Sequence, residues 1–131
     1  PYESLWREGV LMGETTVSVG TAYLAAGYRP SGEWLPHDHL VEELHFLASL
    51  CHAEDQADAT ARDADAAWAR DAQEAFVSHH LAAWVPAYCL ALGEAAREPF
   101  FQALADLTAN LIGQARAQAD HGIAADSTQR R

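Results

Sequence analysis

The chain has 131 residues, half of them apolar, enough for one globular domain with a modest core. Eight Lys and Arg against 19 Asp and Glu leave a net charge of −11 with His neutral, which argues against nucleic acid as a ligand and for a cationic partner. No apolar run approaches the ~20 residues that span a bilayer, so no stable membrane insertion is expected, and no secretory leader pattern is read.

Pro1-Tyr-Glu-Ser-Leu-Trp6 reads like the interior of a protein, so a fragment or a processed product is expected. Gly13-Glu-Thr-Thr16 has the look of a helix start, with Thr15 or Thr16 as the cap. Val19, Ala22, Tyr23 and Ala26 then recur at helical spacing, and Gly27 marks a C-terminal stop. Pro30, Gly32 and Pro36 make residues 28 to 36 a loop. Asp38 can cap the next helix, whose stripe is Leu40, Leu44, Leu47 and Cys51, widened by Val41, Phe46 and Ala48.

Residues 53 to 72 are rich in Ala and Asp and predict a solvated connection that turns helical near Asp63 or Asp65. Val77, Leu81, Trp84, Tyr88 and Leu92 form the next stripe. Pro86 lies inside it, so a kink or break is expected near residue 85. Phe100, Leu104, Leu107, Leu111 and Ala115 predict a final helix with Pro99 in its first turn. The pattern is all-α, a bundle of about four main helices. Residues 1–118 make the helical domain and 119–131 a polar tail. Cys51 and Cys89 both sit in apolar patterns and predict two buried thiols in a reducing compartment.

His37, Asp38, His39, Glu42, Glu43 and His45 invite a metal reading, because Glu42 and His45 form a Glu-x-x-His pair. A di-metal bundle needs two such pairs, and Val77 stands where Glu74 would need a His. The alternative function on this reading is a metal-dependent helical-bundle enzyme using Glu42, His45 and nearby His; the preferred reading has no metal and no cofactor. No serine lies in a nucleophile elbow and no Gly-rich loop carries a phosphate-binding Lys, so no catalytic residue is assigned. Asp38 and His39 carry two readings that are compatible: a capping pair, or an acidic-imidazole pair that receives a cationic ligand. Trp34, beside the acidic cluster in the Pro/Gly loop, adds an aromatic surface suited to a peptide.

Three blocks carry a family resemblance. They are Pro1-Tyr-Glu-Ser-Leu-Trp6 with Leu11-Met-Gly-Glu-Thr15, Pro36-His-Asp-His-Leu40 with Glu43-Leu-His-Phe-Leu47, and His80-Leu-Ala-Ala-Trp-Val-Pro86. In this order they resemble the TorD/DmsD/NarJ group, chaperones of molybdenum-containing redox enzymes. His37 and His45 depart from the pattern, which commonly has acidic residues there. The resemblance implies an all-helical fold whose N-terminal helices precede this part. It also implies a cytoplasmic, non-catalytic chaperone that binds the twin-arginine signal peptide of an apo molybdenum oxidoreductase and assists insertion of its molybdopterin cofactor before export. A domain-swapped homodimer follows from relatives that exchange helical halves. The implied peptide site gathers Tyr2, Trp6, Glu33, Pro36, Asp38 and His39, with His80 and Trp84 nearby. Asp38 or Glu33 would pair with arginine, and the aromatics would hold the apolar part. Some relatives bind guanine nucleotides, for which this sequence has no motif.

Overall fold

A computed structural model describes residues 1–30 and 35–129, with side-chain surroundings through Ala119. Among the described residues the chain is all-α: α1 (Glu3–Glu8), α2 (Glu14–Ala25), α3 (Leu40–Ala59), α4 (Asp63–Phe76), a π-helical turn (Val77–Leu81), α5 (Ala82–Ala95) and α6 (Pro99–Gln129). Extended pairing is limited there to one antiparallel bridge, Tyr2 with His39. The helices form two compact units, Pro1–Phe76 and Val77–Arg131.

In the first unit, α2 buries Val19 and Tyr23 at i, i+4 spacing, as its pattern predicts. Its end follows from Gly27, which adopts φ 65°. The left-handed turn lets Tyr28 N–H reach Tyr23 O at 2.9 Å and Gly27 N–H reach Leu24 O at 3.1 Å, the paired bonds of a Schellman stop. Around Tyr23, Phe46 and Phe76 pack with ring centroids 4.7 Å apart in sequence, and Tyr28 closes on Phe46 at 5.2 Å. Such tilted and edge-on pairs add to the burial of large apolar area.

α3 departs from its predicted face. The buried positions are Leu40, Glu42, Glu43, Phe46, Leu50 and Ala57, whereas Leu44 and Leu47 are half-buried and Cys51 is exposed. The expectation of two buried thiols therefore holds only for Cys89. The solvated connection also shrinks, since α3 runs to Ala59 and α4 starts at Asp63. The Ala-rich composition that read as solvated is a close-packing surface: Ala57, Ala66 and Ala69 are buried between the two helices. Glu54 accepts from Arg70 at 2.9 Å and from Gln73 at 2.6 Å across the same pair.

In the second unit, Val77, Leu81, Trp84, Val85 and Cys89 are buried. Helix α5 is not broken near residue 85 but continues through Pro86. The irregularity lies one turn earlier, in the wider π-helical turn. Helix α6 starts at Pro99 as expected and continues past residue 118 to Gln129. Its buried positions are Ala105, Ile112 and Ala119, while Phe100, Leu104, Leu107 and Leu111 of the predicted stripe are exposed. By length and composition the helical run Asp63–Ala95 could cross a membrane.

Candidate functional site

The Pro36–Leu40 block sits where the starts of three helices meet. His39, not Asp38, is the N-cap of α3: its Nδ1 accepts from Val41 N–H at 3.2 Å. Asp38 instead turns inward and is 0 % exposed. One of its carboxylate oxygens accepts from Ser4 N–H at 2.8 Å and the other from the Thr16 hydroxyl at 2.9 Å. Ser4 lies in the first turn of α1 and Thr16 in the first turn of α2. One carboxylate thus serves two helix N-termini, where open N–H groups and the helix dipoles favour negative charge. The backbone repeats the connection: Glu3 N–H donates to Asp38 O at 2.9 Å and Leu40 N–H to Pro1 O at 3.1 Å.

The remaining cap is also supplied from a distance. Gly13 occupies the N-cap of α2 in place of Thr15 or Thr16 and has no side chain to offer. The Glu8 carboxylate accepts instead, from Glu14 N–H at 3.1 Å, from Thr15 N–H at 2.6 Å and from the Thr15 hydroxyl. The Thr15 hydroxyl bond is the main cause holding the Glu8 carboxyl below its usual range. A side chain at position 13 would collide with that carboxylate.

The ring of His39 stacks edge-on against Tyr2, 5.0 Å away. Burial chiefly lowers its pKa, against the opposing pull of Glu42 and Asp38. Tyr23 donates its hydroxyl proton to His37 O at 2.8 Å, and burial chiefly, with the charge of Glu43, drives its pKa far upward. The loop is thereby tied to the aromatic core.

The site residues expected from sequence divide into three groups. Tyr2, Trp6, Pro36, Asp38 and His39 share the first unit, and Asp38, Tyr2 and His39 are joined by the bonds above. Trp6 is 41 % exposed, while Tyr2, Pro36 and His39 are half-buried. His80 and Trp84 belong to the second unit and are buried, with Trp84 against Tyr88 at 5.7 Å. Glu33 and Trp34 lie outside the described residues. Asp38 as a surface partner for arginine is corrected: its oxygens are turned to Ser4 and Thr16, away from solvent. Of the pair behind the metal alternative, Glu42 is buried beside the Tyr28 hydroxyl while His45, on the same helix, is exposed. Among the described residues no group of three His, Cys, Asp or Glu is arranged to hold an ion.

Sequence reasoning missed the surface next to this cluster. Leu5, Trp6, Val10, Leu11 and Met12 form an exposed apolar stretch over α1 and the following turn. Met12 is held at φ 58°, uncommon for a non-glycine residue. The signal was visible as Val10-Leu11-Met12 between Gly9 and Gly13, an apolar tripeptide inside turn residues.

These features define an acidic, all-helical protein whose Pro-His-Asp-His-Leu block organises helix starts. The family model of the nitrate reductase delta subunit matches residues 1–90, and the chain belongs to that family. The family is one of molybdoenzyme maturation chaperones, as the three sequence blocks imply. Neither a curated protein nor a solved structure matches the chain.

Proposed function

We propose that this chain is a cytoplasmic chaperone that binds the twin-arginine signal peptide of a molybdopterin-containing oxidoreductase and holds the apoenzyme until its cofactor is inserted. The observation that carries the reading is the exposed apolar stretch from Leu5 to Met12, set in a chain of net charge −11. A signal peptide joins a basic start to an apolar segment; the chain's net charge suits the first and this surface the second. Trp6, Leu11 and Met12 hold the apolar segment. Tyr2, Pro36 and His39 border it, and Glu33 remains a candidate for arginine. Asp38 acts as a positioning residue, by fixing α1 against α2. His80 and Trp84, buried in the second unit, are left out of the contact set.

Titration calorimetry with a synthetic twin-arginine peptide tests this reading. Binding should be saturable and should weaken as ionic strength rises, because the attraction is partly between exposed charges. Trp6→Ala should weaken it by about tenfold, the scale of losing an aromatic anchor. Absence of binding at about 100 μM peptide would refute the proposal.

A further inference from the structure

Helix α6 presents a second apolar feature, separate from the α1 surface. Phe100, Leu104, Leu107 and Leu111 are 69, 42, 67 and 54 % exposed. Their 4-3-4 spacing places them on one narrow stripe, the geometry of a coiled-coil seam. The face that α6 buries is a different one, Ala105–Ile112–Ala119. Leu24, exposed on α2, has only Gly20 and Thr21 one turn before it at the same spacing.

We propose that this stripe is a self-association surface, and that its occupant is the same stripe of a second copy of the chain. Charge supports a second copy over a basic partner. Two chains of −11 repel, so they can meet only where each is locally neutral. The stripe is flanked by Ala103, Thr108, Asn110, Gln114 and Ala115, none of them charged. Asp106 and Arg116 lie roughly 140° round the helix from its centre. A basic partner would find no carboxylate to pair with along this seam.

Size agrees with a reversible contact. At ~200 Å² for a large apolar side chain, weighted by the exposures above, the four residues offer roughly 450 Å² per copy. That is about half of each partner's share in a standard interface, so a dissociation constant in the micromolar range is expected. An antiparallel arrangement about a two-fold between Leu104 and Leu107 sets Phe100 against Leu111 of the second copy and opposes the two helix dipoles.

Sedimentation equilibrium on the full chain, from about 1 to about 500 μM, tests this. The chain should pass reversibly from monomer to dimer, and the dimer should tighten as salt screens the repulsion. Leu107→Glu and Leu107→Lys should each raise the dissociation constant by about tenfold or more, whatever the sign of the added charge. Leu24→Glu, on exposed α2, should leave it unchanged, with helix content checked by circular dichroism. A monomer throughout, a dimer that survives both Leu107 variants, as one formed by exchanging helices would, or equal weakening by Leu24→Glu would each overturn the proposal.

Discussion

Replacing Asp38 with alanine removes a fully buried carboxylate that accepts from Ser4 N–H at 2.8 Å and from the Thr16 hydroxyl at 2.9 Å. Hydrogen bonds to a charged group contribute about 1.5–3 kcal/mol each, and the buried Ser4 N–H would be left without its acceptor. The expected loss is therefore about 3–5 kcal/mol, a large part of an ordinary domain's stability. In urea this is a fall in midpoint of about 2 M at an unchanged slope. Asp38→Asn makes a sharper comparison. Its oxygen can still accept from Ser4, and its amide can donate to the Thr16 oxygen, so mainly the charge near the helix starts is lost, about 1 kcal/mol. Thr16→Val should be strongly non-additive with Asp38→Ala, since both remove the same bond. If Asp38 merely capped α3, alanine would cost only ~1 kcal/mol. Urea denaturation that finds Asp38→Ala within about 1 kcal/mol of the parent, or Asn as costly as Ala, would refute the two-helix role.

His39 gives a pH dependence. Its Nδ1 caps α3 only while unprotonated, and its folded pKa lies below the ordinary His value. The unfolded chain therefore takes up the proton first. The stabilisation is complete above about pH 6.5 and is lost as pH falls through the lowered folded value. Asn is an equally good cap that does not titrate, so His39→Asn should flatten this part of a stability profile taken between about pH 7.5 and 5.5. Identical profiles for the two proteins would remove His39 as the cause. Gly27→Ala should cost about 1 kcal/mol in thermal or urea unfolding, through backbone strain alone, because φ is 65° and no atom lies within 4 Å of an added Cβ. A neutral result would mean that the turn relaxes out of the left-handed region.

Local chemistry was legible in the sequence wherever neighbours within one turn decide the outcome. The Gly27 stop, the Pro99 start, the Val19–Tyr23 stripe and the Val77–Leu81–Trp84 stripe all stand in the structure. The all-α class and the family followed from spacing and from the order of three blocks. What the sequence could not rank was the choice between faces and partners brought together from far along the chain. Asp38 and Ser4 are 34 residues apart, so the carboxylate that reads as a local cap or a ligand partner serves another helix. Cys51 looked as buried as Cys89, yet α3 turned Glu42 and Glu43 inward and left that thiol outside. In α6, both the Phe100–Leu111 stripe and the Ala105–Ile112 face have helical periodicity. Tertiary packing selected the face on which Ala105 and Ala119 flank Ile112, because the alanines let the helices of this unit approach closely, and it left Phe100 and the leucines on the surface.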